Sequence, residues 1–226
     1  MKQEINAMKI QWLSERELRL ILPDGAMTAD LRRQISGRPG PMMAFVTQGA
    51  NAIHFLWDPR AQKLLKQPST LEREAEAWVT DIRVHEPQND QAGTGAPSKF
   101  SVPVQYGHDP MMAHDLERLA QLNQCTAEEI VRRHRETTWF VAFCGFQPGF
   151  AYLEPQPGSP VIVAPRHQNP RAKVPAGSVA LGGTYCGIYP KEGPGGWNLI
   201  GKTTVSFLDP ETGAGVWQPG DLVEFV

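Results

Sequence analysis

The chain has 226 residues and a formal net charge of −2, a balance that gives no electrostatic reason to expect nucleic acid or a membrane surface as a partner. Charged residues spread through positions 1–20 exclude a signal-peptide core, and the longest strongly apolar run, 139–146, is too short to span a bilayer. The three cysteines are widely separated and form no C-x-x-C pair, so we expect a reducing, cytoplasmic setting.

The first part of the chain carries two pairs of strand patterns. The polar turn Ser14-Glu15-Arg16 separates the strands of the first pair, and Gln48-Gly49-Ala50-Asn51 is a hairpin signal within the second pair. The predicted strands cover 8–13, 17–22, 43–47 and 52–57.

Helix patterns accompany these strands. Thr28 can cap a helix that carries Leu31, and apolar residues at i, i+4 and i+7 predict an amphipathic helix over 70–78. With a further strand over 79–84, these elements predict a small α+β domain over residues 1–86.

A polar stretch follows this predicted domain. Residues 86–98, with the sequence EPQNDQAGTGAPS, contain no large apolar side chain that a core would bury. We therefore predict a linker over 87–98 and a second domain over 99–226.

The second domain opens with an alternating strand pattern and two helix patterns. Thr126 and Glu129 form a capping box at the start of the second helix. Short strands and turns follow, so we expect a mostly-β domain with two helices. The predicted elements include a strand over 99–106, a helix over 115–123 and closing strands over 203–208 and 221–226.

The stretch 145–201 is the most unusual part of the sequence. It contains 11 Gly and 9 Pro but only six charged residues. A flexible linker would lack its interleaved aromatic residues, such as Phe150 and Trp197, which bury area and take fixed positions. We therefore predict a folded, loop-rich β region whose glycine and proline turns form a site.

Six motifs within and after this stretch carry a family resemblance. They are GFQPGFAYL (145–153), PRxxxPR (165–171), VPAGSVALGG (174–183), GIYP (187–190), PGGWNLIGKT (194–203) and PGDLVEF (219–225). Together they resemble the family of KipI and the 5-oxoprolinase B subunit, which is related to the carboxyltransferase part of urea carboxylase and to allophanate hydrolase subunit 1. The resemblance reaches back to 99–135 and fades before that.

The resemblance implies a fold for the second domain. In this family the region folds as a cyclophilin-like β-barrel, so we expect an α+β N-terminal domain followed by a mostly-β, cyclophilin-like barrel domain. The family's N-terminal half begins with a strand that carries a Gly-Asp-Ser turn. Here Ser14-Glu15-Arg16 stands in its place, so nothing that the family does with that turn is carried over.

The resemblance also implies a function. We expect a subunit of the ATP-dependent 5-oxoprolinase, which opens 5-oxo-L-proline to L-glutamate with ATP as co-substrate. Homologues of the A and C subunits would be the partners, Mg²⁺ would come through the complex, and this chain would supply part of a composite site. Two alternatives stay open: a non-enzymatic inhibitor of a histidine kinase, as in KipI, and a carboxyltransferase or allophanate hydrolase-like subunit.

The candidate binding residues are basic side chains and glycine turns. Arg166 and Arg171 each follow a proline, and an arginine fork binds carboxylate or phosphate through two parallel hydrogen bonds. The turns at Gly149, Gly195 and Gly196 can present backbone N–H groups to an anion. The alternative is that both arginines are ordinary surface residues.

Residues 196–203 match the phosphate-loop pattern G-x-x-x-x-G-K-[ST]. A true phosphate loop opens a helix, whereas Thr203-Thr204-Val205 is a β-branched run that favours a strand. The family usually has arginine at the position of Lys202. We therefore interpret the match as accidental and keep Lys202 only as a candidate anion contact.

The remaining chemistry-bearing residues suggest little. His134 matches a histidine near the end of the family's helix and stays a candidate ligand contact, with packing as the alternative reading. Cys144 lies within a strand pattern and Ser178 lacks a nucleophile elbow, so neither is expected to be a nucleophile. The histidines show no metal-binding spacing, and we expect no metal site.

Overall fold

Two compact units make up the chain, Met1–Ala96 and Pro97–Val226. The structure, a computed structural model, describes residues 9–14, 17–22, 31, 43–48, 52–57, 72–78 and 97–226. The strand predicted over 79–84 and the linker predicted over 87–98, except for its last two residues, lie outside the described residues.

A four-stranded antiparallel sheet forms the described part of the first unit. Its strands are β1 (Lys9–Ser14), β2 (Glu17–Ile21), β3 (Met43–Gln48) and β4 (Ala52–Trp57), in the order β1-β2-β4-β3. Alternate residues are buried, Leu18 and Leu20 in β2 and Ile53 and Phe55 in β4, because side chains along a strand point to opposite faces. Both predicted strand pairs are confirmed to within one residue at each end.

A helix, α1, covers 72–78, within the predicted range. The ring of Trp78 meets Phe55 edge-on, with 5.4 Å between the ring centroids. Trp12 Nε1 donates a hydrogen bond of 2.7 Å to Glu72, so the first and the last described residues of this helix both contact the sheet. Leu31 is helical and buried, and the rest of the helix predicted after Thr28 lies outside the described residues.

The second unit is a curled, mostly-β half-barrel. Eight strands form one sheet in the order β5-β14-β7-β8-β11-β10-β13-β6, in which only β5 and β14 are parallel. A separate pair joins β9 to β12. The strands are β5 (Lys99–Val102), β6 (Gln105–Tyr106), β7 (Trp139–Cys144), β8 (Ala151–Pro155), β9 (Arg171–Val174), β10 (Ser178–Gly182), β11 (Tyr185–Ile188), β12 (Gly193–Gly195), β13 (Asn198–Lys202) and β14 (Leu222–Phe225).

The prediction of one strand over 99–106 is wrong, and the break explains the curl. β5 ends at Val102, and Pro103, which has no N–H to donate, follows it. The chain resumes in β6, which lies at the opposite edge of the same sheet. Because only two residues connect the edges, the sheet must curl until its edges approach each other. Val104 N–H bonds to the carbonyl of Val226 and Val226 N–H bonds to the carbonyl of Val102, both at 2.9 Å, so the connecting residues lie beside the end of the chain.

Two helices lie within residues 97–226, as predicted. Helix α2 (Pro110–Leu122) begins five residues before the predicted start, because Asp109 caps it by accepting from Met111 N–H and Pro110 occupies the first turn. Helix α3 (Ala127–Glu136) is capped by Thr126, which accepts from Glu129 N–H, so the Thr126 half of the predicted capping box is confirmed. The carboxylate of Glu129 accepts from Arg132 and Arg133 instead of completing the box. Leu119 and Ile130 of these helices are fully buried in the core of the half-barrel.

The strand predicted over 203–208 is also wrong. The regular strand, β13, ends at Lys202, and only Leu208 forms an isolated bridge with Gly215. The Thr203 hydroxyl accepts from Val205 N–H at 3.2 Å, a local turn that competes with strand pairing. The last strand, predicted over 221–226, is confirmed as β14. No helix among the described residues is long and apolar enough to cross a membrane.

Candidate functional site

A cleft of about 500 Å³ opens on the surface of the second unit. One of its walls comes from helix α2, which supplies Arg118. The other comes from the loop between β8 and β9, which supplies the rest of the lining. The lining residues are Arg118, Pro165, Arg166, His167, Gln168 and Asn169. Loops held by a rigid scaffold are where binding residues are most often found.

A fully buried carboxylate, Asp115, lies beside this cleft. Its Oδ1 accepts a hydrogen bond of 2.8 Å from Arg171 Nη2, and its Oδ2 accepts one of 2.7 Å from Leu199 N–H. A buried charge is tolerated only when it is paired and hydrogen-bonded, and both conditions hold here. Asp115 thus ties helix α2 to β9 and to β13.

Asn198 ties the loop that lines the cleft to β10 and to helix α2. Its buried amide donates to the carbonyls of Pro165 (3.1 Å) and Leu181 (3.0 Å), and its Oδ1 accepts from Arg118. Arg118 also donates to the Pro165 carbonyl at 3.2 Å. These bonds fix the backbone of the residue immediately before Arg166.

Arg166 lies over an aromatic ring. Its guanidinium carbon is 5.6 Å from the centre of the Trp197 ring, a distance at which the ring quadrupole attracts a cation. Trp197 itself is only 6% exposed and packs against Gly182, where an added Cβ would lie 2.5 Å from the ring. The lack of a side chain at Gly182 therefore sets the position of Trp197, and Trp197 supports Arg166.

His167 lies between the cleft and Asp115. Its Nε2 is buried and 3.2 Å from Asp115 Oδ1, while its backbone N–H donates to the Gly196 carbonyl at 2.7 Å. Burial lowers the pKa of His167 below its usual value, and the charges of Arg171 and Arg118 lower it further, against the opposing effect of Asp115. The imidazole is therefore neutral at pH 7.

The charges of this region favour an anion. Arg118, Arg166 and Arg171 lie in or beside the cleft, and the carboxylate of Asp115 offsets one of them. Guanidinium groups bind planar carboxylates and phosphates through directed hydrogen bonds. The geometry thus fits an anionic group of a small molecule, with Arg118 and Arg166 on its walls.

The structure brings only some of the predicted site residues together. Arg166 lines the cleft, whereas Arg171 lies beside it in an ion pair with Asp115. Gly196 contributes a carbonyl, which binds His167 N–H, in place of the expected N–H donor. An added Cβ at Gly195 would lie 2.2 Å from the Tyr189 hydroxyl, so the need for close packing explains this glycine.

Gly149, Lys202 and His134 are not among the cleft residues. Gly149 has a φ of +81° and its carbonyl accepts from Trp217 Nε1, while Lys202 ends β13 opposite Gln105 and Ser178. His134 is fully buried, and burial lowers its pKa to about 3, so it holds no positive charge for an anion. It fills a core position, with Nδ1 2.9 Å from the Tyr106 hydroxyl and Nε2 3.3 Å from Cys186 Sγ.

The phosphate-loop match is accidental, as predicted. Residues 198–202 form a buried strand that pairs with β10 and β6, and no helix follows it within 203–226. A phosphate loop needs the free N–H groups of a helix N-terminus, and this segment uses its backbone in a sheet instead.

Sequence reasoning missed Asp115, Arg118, His167 and Asn198. Asp115 had a detectable signal, since it lies three residues after Met112 and four before Leu119, on the buried face of α2. A carboxylate on an apolar helix face requires a partner. The other three carried no signal of their own. Among the described residues, no group of three or more His, Cys, Asp or Glu could hold a metal ion.

Known proteins match this chain over most of its length. The family described as carboxyltransferase domain, subdomain C and D, matches residues 8–217. The chain is 41% identical to the 5-oxoprolinase B subunit of Bacillus subtilis over 55% of this chain and 51% of that protein. It is 36% identical to the 5-oxoprolinase B subunit of Escherichia coli O157:H7 over 72% of each chain. It thus spans about half the length of the first relative.

A solved structure shows the same fold. Urea amidolyase of Kluyveromyces lactis superposes with a TM-score of 0.74 at 18% identity, over 97% of this chain and 15% of that one. At this identity the likeness concerns the fold alone. The matches in sequence show that the chain belongs to the family of carboxyltransferase domains, subdomains C and D.

Proposed function

We propose that this chain is the B subunit of an ATP-dependent 5-oxoprolinase, which opens 5-oxo-L-proline to L-glutamate. The cleft lined by Arg118 and Arg166 is the observation that carries the proposal, because it fits an anionic small molecule. Two relatives at 36% and 41% identity are named as this subunit. In this reading, the cleft holds either the carboxylate of 5-oxoproline or a phosphoryl group.

The reaction explains why such a cleft is useful. Hydrolysis of an unactivated lactam is slow, and phosphorylation of its oxygen makes the ring carbon more electrophilic, so that water adds to it and the C–N bond can then break. Phosphoryl transfer depends on positioning and on positive charge around the oxygens. Arg166, supported by Trp197, and Arg118, tied to Asn198, are held in fixed positions before a ligand arrives.

Partners complete the site. The cleft does not fit Mg²⁺, because no carboxylate lines it and the nearby Asp115 is already bonded to Arg171 and Leu199. We propose that homologues of the A and C subunits supply the metal ligands and the rest of the ATP site.

We also propose a cytoplasmic complex, in which the second unit is a cyclophilin-like barrel. The two-residue crossing at Pro103-Val104 supports near-closure of that barrel.

A carboxyltransferase-like subunit is the second candidate. The fold shared with urea amidolyase favours it, and an arginine cleft would bind a carboxylated substrate equally well. The two functions differ in their substrate, since only the first consumes 5-oxoproline.

Reconstitution tests the proposal. The chain is co-expressed with homologues of the A and C subunits, and the release of phosphate and glutamate is measured with and without 5-oxoproline. We expect substrate-dependent turnover by the complex and none by the single chain. A complex that assembles but leaves 5-oxoproline intact would contradict the proposal.

Arg166→Ala then tests the cleft. Loss of a charge-assisted contact costs about 1.5–3 kcal/mol, so kcat/KM should fall about ten- to a hundredfold. A higher KM for 5-oxoproline would indicate the carboxylate, and a higher KM for ATP would indicate a phosphoryl group. Arg135→Ala, at an exposed arginine of α3 outside the cleft lining, is the matched control. Equal activity of the two variants would exclude the cleft from binding.

A further inference from the structure

The cleft contains one side chain that can exchange a proton near neutral pH. Of its six lining residues, two are arginines, which stay charged, and three are Pro165, Gln168 and Asn169, which do not titrate. The sixth is His167, whose imidazole can accept and release a proton. We propose that His167 is the proton-transfer group of this cleft and that Asp115 positions it. The proposal rests on the proposed 5-oxoprolinase function.

The geometry is that of a histidine oriented by a carboxylate. Asp115 is fully buried and immobilised by Arg171 and Leu199, so its Oδ1 has a fixed position 3.2 Å from His167 Nε2. The two atoms are close but not aligned as a regular hydrogen bond. Catalytic hydrogen bonds are often poorly aligned before a substrate binds and tighten in the complex.

This contact selects one tautomer. A proton on Nε2 faces the carboxylate favourably, whereas a lone pair there would be repelled by it. The lone pair is then on Nδ1, the second ring nitrogen of this cleft-lining residue. The His167 backbone is fixed as well, through its bond to the Gly196 carbonyl.

The electrostatic surroundings keep the imidazole in its basic form. Asp115 and Arg118 face it from α2, Arg171 from β9, and Arg166 precedes it in its own loop. Burial and the cations together outweigh the carboxylate, so the ring is neutral and able to accept a proton at pH 7. The same cations would hold an anionic substrate beside it.

The step that His167 would perform is the addition of water to the phosphorylated lactam. In that species the ring carbon bears the phosphoryl oxygen and is double-bonded to the ring nitrogen. The water oxygen forms a bond to this carbon while its proton passes to His167 Nδ1. The π pair of the C=N bond moves to the ring nitrogen, which then takes the proton from Nδ1, so His167 returns to its neutral form.

Turnover of the reconstituted complex is the first readout. His167→Gln should lower kcat at least about 100-fold with KM for 5-oxoproline changed less than about threefold. It should also remove the acid limb of the kcat–pH profile, where wild type loses activity as His167 becomes protonated. His114→Gln, at an exposed histidine of α2 outside the cleft lining, is the control and should match wild type. A His167→Gln complex with kcat within threefold of wild type overturns the proposal.

The tautomer of His167, from ¹⁵N–¹H NMR of the imidazole in the full chain, is the second readout and needs no activity. We expect the proton on Nε2 in wild type and a mixture of tautomers in Asp115→Asn, provided that this variant gives a folded spectrum. A proton on Nδ1 in the wild-type ring overturns the proposed pairing. Lack of wild-type turnover would instead overturn the proposed function and the role of His167 in water addition, while the NMR result still decides whether Asp115 orients His167.

Discussion

At the scale of single residues, one buried carboxylate organises the cleft. Asp115 lies on the apolar face of α2, and its two oxygens are bonded to Arg171 and to the backbone of Leu199. Neither sequence-based reading of Arg171, as a surface residue or as an anion contact, included this ion pair. The pair lies beside the cleft, so Arg171 contributes to structure and Arg166 is left to contact a ligand.

Arg171→Ala should therefore destabilise the fold more than Arg166→Ala. The substitution leaves a fully buried carboxylate without its cation, which costs about 3 kcal/mol or more. The free energy of unfolding, from urea titration, measures the difference between the two variants. The double variant Asp115→Leu/Arg171→Met, which removes both charges, should recover part of the loss. Equal stability of Arg171→Ala and wild type would show that the pair is unimportant.

His134 should make the protein sensitive to acid. Its pKa is about 3 when folded, because of burial, against an ordinary value of 6.5. Below pH 6.5, His134 binds a proton in the unfolded chain but not in the folded chain. The free energy of unfolding therefore falls as the pH drops towards 3. The slope from this group reaches about 1.4 kcal/mol for each pH unit.

His134→Gln should reduce that slope, since glutamine does not titrate and its amide can still bond the Tyr106 hydroxyl. Unfolding free energies measured between pH 6.5 and 4 check this, with the exposed His114→Gln as the control. If wild type and His134→Gln lose stability in parallel over this range, the histidine is not the cause.

At the scale of elements, β13 shows that a short sequence motif indicates a function only when the surrounding structure fits it. Its sequence fits a phosphate loop, yet residues 198–202 form a strand that pairs with β10 on one side and with β6 on the other. Trp197, just before the strand, packs on Gly182 of β10 and supports Arg166. The strand therefore supports the site through the side chain of Asn198 and the backbone N–H of Leu199, which bonds Asp115.

Lys202→Arg should keep most of the activity of the reconstituted complex. A phosphate loop requires a compact ammonium in a tight cradle, whereas a strand end tolerates the longer guanidinium. Lys202→Ala would lose some activity if the charge contacts a substrate anion. Phosphate release measured for both variants decides between these readings. A loss with arginine as severe as with alanine, in a complex that assembles, would restore the phosphate-loop interpretation.

Gly182→Ala should destabilise the second unit by about 1–3 kcal/mol, because the new methyl group would lie within 2.6 Å of three Trp197 ring atoms. Displacement of the ring should also weaken the support of Arg166. Thermal unfolding measures the effect, and Gly145→Ala is the control, since an added Cβ there meets only a Tyr152 ring atom at 3.9 Å. Similar melting temperatures for the two variants would mean that Trp197 moves aside at little cost.

At the scale of the whole molecule, the chain consists of two compact units with separate sheets. The second unit contains the cleft, its supporting ion pair and a large buried core. The family match over residues 8–217 and the similarity to the 5-oxoprolinase B subunit of Escherichia coli O157:H7 place the chain in the family of carboxyltransferase domains, subdomains C and D.

The fragment 97–226 should fold without the first unit. It has a buried core of its own, which is the requirement for independent folding. We expect a cooperative thermal transition and dispersed NMR signals from the isolated fragment. A fragment that lacks a cooperative transition, when the full chain has one, would show that the second unit depends on the first.

The sequence by itself determined the structural features that depend on residues close to one another along the chain. The hairpin strands around residue 50, the cap at Thr126 and the strand character of β14 follow from local patterns, and the six motifs of 145–225 indicated the family. Such features involve residues a few positions apart, and short-range sterics and hydrogen bonding decide them.

Only the tertiary structure decided what depends on distant partners. Asp115 meets Arg171 across 56 residues and Leu199 across 84, and Arg118 meets Asn198 across 80. The break at Pro103 similarly depends on the tertiary structure, because β5 before it and β6 after it lie at opposite edges of the sheet. No local pattern encodes these pairings, because they arise when the curled sheet brings α2, the loop before β9 and β13 together. The cleft therefore depends on the tertiary structure, because its residues and their supporting contacts come from three segments that are distant in the sequence.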